Sequence, residues 1–221
     1  MIKAFIFDFD GVIINDEQVW LEREKEFLPQ LIGQKIFSRL GSTVGVGVDV
    51  LYERIVQYGS KTTKEKFMQI FFEQARSIYK SALLTPGLES LVDLLITLDF
   101  SIGIVSASPR EWINLAIDRL SFKDKIQVIV TLHDRPDLAP KPAPDGYIAA
   151  MQSLGVRAKN TLVLEDSNAG IASAKASGAH TVAFRENLVP GYQQIEKADA
   201  VAENIPDVLK IVQNFAACYS V

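Results

Sequence analysis

The chain has 221 residues, of which 48% are hydrophobic and 23% charged, and its formal net charge at neutral pH is -4. This composition is typical of a globular protein that is large enough for one sizeable core and a smaller attached domain. The net negative charge offers no basic surface for nucleic acid, so we expect small solutes as partners.

The chain contains a single cysteine, Cys218, which excludes an intramolecular disulfide and a thiolate metal cluster. The apolar N-terminal stretch is interrupted by Asp8 and Asp10 and has no small-residue cleavage site. No uncharged run approaches the roughly 18 residues of a membrane span. We therefore expect a cytoplasmic protein without a membrane partner, and a monomer by default.

The first predicted strand, residues 4–7, leads into the sequence FIFDFDG, in which Asp8 and Asp10 are one residue apart. Burial of an ionised carboxylate without a partner costs several kcal/mol. We therefore expect a neutralising group beside these two acids.

The next segment is helical. Between residues 16 and 84 no strand pattern occurs, and helices are predicted over residues 17–27, 30–40, 49–58 and 63–81. Thr62 and Glu65 form a predicted capping box before the last of them. We predict an α/β catalytic core of residues 1–15 and 85–221, and an all-helical cap domain of residues 16–84 inserted after the first strand.

From residue 85 onward, strands and helices alternate, which predicts a doubly wound (Rossmann-like) parallel sheet covered by helices on both faces. The predicted strands are residues 101–105, 126–132, 161–164 and 181–184. The predicted helices are residues 88–98, 111–120, 145–154 and 169–177.

Polar residues follow the predicted core strands. Because parallel strands end at one edge of a sheet, where α/β proteins bind ligands, we expect these residues to converge. They are Asp8, Asp10 and Gly11 after the first strand, Ser106, Ala107 and Ser108 after the second, Lys141 beyond the third, and Glu165 and Asp166 after the fourth.

Four carboxylates and one lysine leave about three uncompensated negative charges at this edge, so a divalent cation is the simplest neutraliser. Because only oxygen donors are available, Mg²⁺ is favoured over zinc or copper. A carboxylate on Mg²⁺ beside hydroxyls and a lysine suits phosphoryl transfer, with Asp8 attacking phosphorus and Asp10 exchanging protons.

Four segments carry a resemblance to a known family: DFDGV (8–12), SAS (106–108), KPAPD (141–145) and EDSNAG (165–170). In this order, with a helical insert after the first, they resemble the four motifs of the haloacid dehalogenase superfamily and are most similar to its β-phosphoglucomutase-like phosphatases. The resemblance implies an Mg²⁺-dependent phosphatase that hydrolyses a small phosphorylated metabolite through an aspartyl phosphate, with a mobile cap that selects the substrate.

The resemblance also implies roles by position. Asp8 would be the nucleophile, and Asp10 the general acid and base, whose backbone carbonyl also reaches the metal. Lys141 would bridge the nucleophile and the phosphoryl group. Asp166 would be the direct metal ligand, with Glu165 beside it or acting through water.

Four further residues are candidates for substrate binding. Ser106 and the backbone N–H of Ala107 would bind the phosphoryl group by the same resemblance, and Gly11 belongs to the first motif. Arg110 is a candidate for contacting a distal carboxylate or phosphate of the substrate. The alternative interpretation of Arg110 is a solvated arginine in the first turn of a helix.

The sequence departs from the family pattern in ways that bear on function. Asn15 stands where an aspartate is usual, which we expect to alter the hinge or local pKa values rather than the chemistry. Mutase members of the family have a histidine at the position of Trp20 and a basic residue in the cap loop. In this chain, no lysine or arginine lies between Arg39 and Arg54. A bisphosphate needs a second cationic site, so the phosphatase ranks above a phosphomutase.

Other interpretations complete the predictions. A non-catalytic phospho-acceptor module is a third alternative, but such modules are shorter and have no helical insert. Ser108, directly before Pro109, is interpreted as a helix N-cap. The segment GSTVGVGVD (41–49) is interpreted as a flexible loop rather than a nucleotide loop. His133 and His180 are interpreted as structural residues.

Overall fold

A computed structural model of the protein describes residues 2–218. The strands in this range are β1 (Lys3–Phe7), β2 (Ile14–Asn15), β3 (Leu83–Leu84), β4 (Phe100–Ser106), β5 (Ile126–Thr131), β6 (Thr161–Glu165), β7 (His180–Phe184) and β8 (Ala200–Ala202). The α-helices are α1 (Glu17–Ile32), α2 (Gln34–Phe37), α3 (Val48–Gln57), α4 (Lys64–Ser81), α5 (Leu88–Thr97), α6 (Arg110–Ile117), α7 (Asp145–Leu154), α8 (Asn168–Ala176) and α9 (Ile205–Ala217).

Six parallel strands form the central sheet, in the order β5-β4-β1-β6-β7-β8. Successive side chains of β1 point to opposite faces: Phe5 and Phe7 pack with residues of α5 and α9, whereas Ile6 packs with residues of α7 and α8. Both faces are therefore covered by helices, and the predicted doubly wound, Rossmann-like fold is confirmed.

Helices α1 to α4 lie between two short strands that pair with each other. Strands β2 and β3 are antiparallel, with Ile14 opposite Leu84 and Asn15 opposite Leu83. Next to them, the hydroxyl of Thr85 donates to the carbonyl of Val12 at 2.6 Å. The chain thus leaves the core and returns to it at neighbouring points, and the proposed boundaries at residues 15/16 and 84/85 fall at this pair of strands. The segment of residues 16–84 is called the helical insertion below.

Some elements differ from the predictions. Helix α1 continues through Pro29 to Ile32 and ends at Gly33, whose φ of 85° favours glycine. The prediction of a capping box at Thr62 and Glu65 was wrong, because the hydroxyl of Thr62 donates instead to the carbonyl of Leu31 at 2.8 Å. The N-cap of α4 is Thr63, whose hydroxyl accepts from the N–H of Lys66. Strands β2, β3 and β8 and helix α9 were not predicted, and β3 lies within the segment in which no strand was expected.

No helix within residues 2–218 combines the length and the apolar character needed to cross a lipid bilayer.

Candidate active site

Asp8 lies at the carboxyl end of β1, where its backbone N–H donates to the carbonyl of Leu164 in β6 at 2.9 Å. Its side chain is 9% exposed and forms an ion pair of 2.8 Å with the Nζ of Lys141. Burial, followed by the charge of Glu165, raises the pKa of Asp8 to about 8. Burial alone would lower the pKa of Lys141, but the carboxylates of Asp8 and Glu165 outweigh it and raise that pKa.

Glu165 ends β6 and is surrounded by donors. Its Oε1 accepts from the Nζ of Lys141 and from the hydroxyl of Tyr147, both at 2.5 Å. Its Oε2 accepts from the N–H and the hydroxyl of Ser167 at 3.4 and 3.3 Å. A Cβ atom at Gly170 would lie 1.9 Å from Oε1, so this carboxylate lies directly against the first turn of α8.

Asp10 accepts hydrogen bonds from three hydroxyl groups. Tyr79 donates to its Oδ1, and Ser106 and Ser108 donate to its Oδ2 at 3.1 and 2.7 Å. The hydroxyls of Tyr79 and Ser108 are 2.9 Å apart. The interpretation of Ser108 as an N-cap was wrong, because Pro109 occupies that position and the hydroxyl of Ser108 is drawn to the charge of Asp10.

Asp8, Glu165 and Asp166 could hold a metal ion together, since each offers one oxygen and these atoms lie within 4.8 Å of one another. Asp166 is 2% exposed, and its carboxylate has no hydrogen-bond or ion-pair partner within the described residues. Burial and then the charges of Asp8 and Glu17 raise the pKa of Asp166 well above its ordinary value. An unpartnered buried carboxylate beside two others fits a divalent cation, which would hold it ionised.

Gly11 packs against the same carboxylate. Its φ is 73°, and a Cβ atom there would lie 2.0 Å from the Oδ2 of Asp166, so both the backbone conformation and the close approach favour glycine. The N–H of Gly11 donates to the Oδ1 of Asp16 at 3.1 Å. An acidic group is therefore present at the end of the first motif, one position after Asn15.

The helical insertion closes over this edge of the sheet. In the loop before α3, a Cβ atom at Gly45 would lie 2.4 Å from the Cβ of Ser167, and one at Gly47 would lie 3.1 Å from the Cβ of Ala107. The glycines of the predicted flexible loop thus allow the backbone to approach the core closely. Nearby, Asp49 of the insertion forms an ion pair with the Nδ1 of His133 in the core.

A cavity of about 70 Å³ lies between the insertion and the core. Asp8, Asp10, Ala107 and Lys141 line it from the core side. Within the described residues, Arg110 does not line it, because its guanidinium donates to the carbonyl of Ile129 at 2.5 Å. The structure therefore brings the predicted acids, lysine and alanine together, and leaves Arg110 apart.

Other cavity residues were missed by sequence reasoning. Tyr79, Glu17 and Glu24 come from the insertion, and their contact with the core depends on how the helices dock, for which the sequence has no local signal. The aromatic rings of Trp20, from α1, and Trp112, from α6, also line the cavity and stack with centroids 5.5 Å apart.

The sheet is all-parallel and Rossmann-like, and acidic residues lie at the ends of two of its central strands, with a lysine between them. Together with the helical insertion after the first strand, these features suit a hydrolase that transfers a phosphoryl group. The chain belongs to the haloacid dehalogenase-like hydrolase family, whose model matches residues 5–184.

Individual relatives agree with this assignment. The chain is 30% identical over 215 residues to a Bacillus subtilis protein described as "Putative phosphatase YhcW", with 94% of each protein covered. It is 26% identical over 187 residues to hexitol phosphatase B of Escherichia coli, with 82% of each covered. The solved structure of β-phosphoglucomutase from Clostridium difficile has a similar fold, with a TM-score of 0.75, 24% identity and 99% of each chain covered. The predicted class, a phosphomonoester hydrolase of the haloacid dehalogenase superfamily, is confirmed, and the similarity to β-phosphoglucomutase shows a shared fold.

Proposed function

We propose that the protein is an Mg²⁺-dependent phosphatase that hydrolyses a small sugar phosphate, or a similar phosphomonoester, through an aspartyl phosphate on Asp8. The environment of Asp8 carries the proposal: a buried carboxylate, fixed at the end of a central strand, with Lys141 at 2.8 Å and Asp10 beside it on one cavity. The similarity to a hexitol phosphatase supports a sugar phosphate as the substrate.

In the first step, a carboxylate oxygen of Asp8 attacks phosphorus, and the bond between phosphorus and the ester oxygen breaks. Asp10, in its protonated form, gives its proton to the leaving alkoxide. In the second step, water attacks the phosphorus of the aspartyl phosphate and passes a proton to Asp10, while Asp8 leaves as a carboxylate. The products are the alcohol and inorganic phosphate.

The groups proposed to bind the phosphoryl oxygens are the hydroxyl of Ser106, the N–H of Ala107 and the ammonium of Lys141. The ammonium lies between Asp8 and Glu165, where it would neutralise charge that builds up on the phosphoryl group. Gly11 is left out of this set because its backbone N–H is bound by Asp16. The hydroxyl of Ser106 donates to Asp10 at 3.1 Å, but a hydroxyl can rotate and would turn to a phosphoryl oxygen when the substrate binds.

Asp8 and Asp166, with the backbone carbonyl of Asp10, are proposed to hold the metal ion. These donors are all oxygens, which favours Mg²⁺. When bound, the ion would neutralise phosphoryl oxygens and help to orient the substrate. Glu165 is occupied by Lys141 and other donors, which supports an indirect role for it, through water or through the lysine.

The alternative function is a phosphomutase. Such an enzyme holds a bisphosphate by both of its phosphates, which needs a second cationic site. Among the described residues that line the cavity, Lys141 is the one cation, and Arg110 is bound to a backbone carbonyl elsewhere. This favours the phosphatase. A cytoplasmic location, a monomeric state and the lack of nucleic-acid or membrane partners stay predictions from the sequence.

The test is phosphate release from a panel of phosphorylated metabolites, with Mg²⁺ and with a chelator. We expect Asp8→Asn to reduce release by about 10³-fold or more, and the chelator to abolish it. Asp93→Asn, on the exposed side of α5, is the matched control and should keep the parent's rate. Activity that survives Asp8→Asn would contradict the aspartyl phosphate, and isomerisation without phosphate release would favour the mutase.

A further inference from the structure

Two carboxyl groups of the helical insertion line the cavity. Glu24 is 8% exposed, and its Oε2 accepts from the hydroxyl of Thr43 at 2.5 Å. Glu17 is equally buried, and its Oε1 accepts from the N–H of Gly45 at 3.2 Å. Within the described part of the chain, the second oxygen of each carboxyl has no hydrogen-bond partner. Both carboxyls can therefore accept a hydrogen bond from a ligand.

The charge of the cavity restricts that ligand. Lys141, the one cation among the described lining residues, is already engaged by Asp8 and Glu165. A second phosphate or a carboxylate on the leaving group would therefore meet Glu17 and Glu24 without a compensating cation. Burial raises the pKa of Glu24 to about 7 and that of Glu17 to about 8, so like-charge repulsion selects against a second anion above these values, where both carboxyls are ionised.

The chemistry of the remaining wall favours hydroxyl groups. The indole N–H of Trp112, a residue of the same wall, is buried and has no partner within the described residues. A hydroxyl can donate to a carboxylate and accept from an indole N–H, whereas an ammonium can only donate. The rings of Trp20 and Phe71 offer apolar surface to a carbon skeleton.

We propose that Glu24 is the specificity-determining residue of this site: its free oxygen accepts a hydrogen bond from a hydroxyl of a polyhydroxylated leaving group, and together with Glu17 it disfavours leaving groups that carry a second anion. The proposal rests on the proposed phosphatase function and names its substrate class, the monophosphate esters of neutral polyols.

The test compares kcat/KM for four esters, at a pH above the raised pKa values of Glu17 and Glu24. They are a hexitol monophosphate, an amino-hexitol phosphate, 2-phosphoglycolate, which carries a carboxylate, and p-nitrophenyl phosphate, whose leaving group has no hydroxyl donor. The variants are Glu24→Gln, which keeps the shape but removes the charge, and Glu24→Leu, which removes the acceptor. Glu26→Gln, an exposed residue of the same helix, is the matched control. Thermal unfolding of each variant checks that it is folded.

We expect the ratio of kcat/KM for the hexitol phosphate to that for p-nitrophenyl phosphate to fall by about tenfold in Glu24→Leu, and by less in Glu24→Gln. The ratio for 2-phosphoglycolate should rise in both variants, and Glu26→Gln should change neither ratio. Unchanged ratios in both Glu24 variants would overturn the role of Glu24 while leaving the phosphatase intact. A parent that prefers an amino-hexitol phosphate would overturn the assignment to a hydroxyl. Failure of the parent to hydrolyse any of the esters would overturn the proposed function itself.

Discussion

Substitution of Gly170 by alanine tests how firmly the carboxylate of Glu165 is held. In an unobstructed helix this change stabilises by up to about 1 kcal/mol. Here the new Cβ would lie 1.9–2.0 Å from the carboxyl atoms of Glu165, so the carboxylate must move. Overpacking costs about 1–3 kcal/mol, and each hydrogen bond lost from Lys141 or Tyr147 to this charged group costs about 1.5–3 kcal/mol.

With one such hydrogen bond lost, the sum predicts that Gly170→Ala destabilises by about 1.5–5 kcal/mol. For a chain of this size that corresponds to a Tm lower by roughly 3–20 °C, which circular dichroism during heating would measure. The control is Ala176→Gly, at an exposed position in the same helix, which reports helix propensity alone and should lower Tm by only a few degrees. A Tm of Gly170→Ala at or above that of the parent would refute the tight placement of Glu165.

Two further predictions concern contacts between the insertion and the core. Tyr79→Phe keeps the ring, which stacks on Phe9 at 6.3 Å, but removes the hydroxyl that donates to Asp10. We expect kcat to fall about tenfold. An unchanged kcat would show that this hydroxyl does not orient the carboxyl of Asp10. The Nδ1–H of His133 donates to the carboxylate of Asp49, and this hydrogen bond raises the pKa of His133. The ion pair is therefore complete below the ordinary pKa of 6.5 and is lost as pH rises through the raised value. Above that pH the helical insertion should be held less tightly against the core, and the fluorescence of the stacked Trp20 and Trp112 should change. His133→Gln should remove this pH dependence. The same pH response in the variant would contradict the role of the ion pair between Asp49 and His133.

The residues at the edge of the sheet could be predicted because topology alone determines where they lie. Asp8 directly follows β1, and Asp166 directly follows β6. These two parallel strands pair side by side, so the residues at their ends lie together whatever the details of packing. Lys141 was found in the same way, although it lies ten residues beyond the end of β5. A motif at a strand end therefore carries three-dimensional information.

Residues of the insertion could not be predicted. Tyr79 is 69 positions from Asp10, and helical periodicity shows only that it lies on a buried face, not which part of the core that face meets. The same holds for Glu24, whose side chain is buried although glutamate side chains are usually exposed to solvent. Local rules also misassigned Ser108, because a hydroxyl beside a proline satisfies the N-cap pattern while a stronger acceptor, Asp10, is close in space.

The paired strands β2 and β3 also affect how this protein can evolve. Neighbouring strands are about 4.8 Å apart, so the core spans the same short gap however many residues lie between Asn15 and Leu83. Lengthening such a connection costs only about 0.6 kcal/mol for each doubling. The helices between the two strands can therefore change in length and sequence without moving Asp8 or the other groups at the end of the sheet. The substrate specificity proposed for Glu24 can then change independently of the chemistry proposed for Asp8.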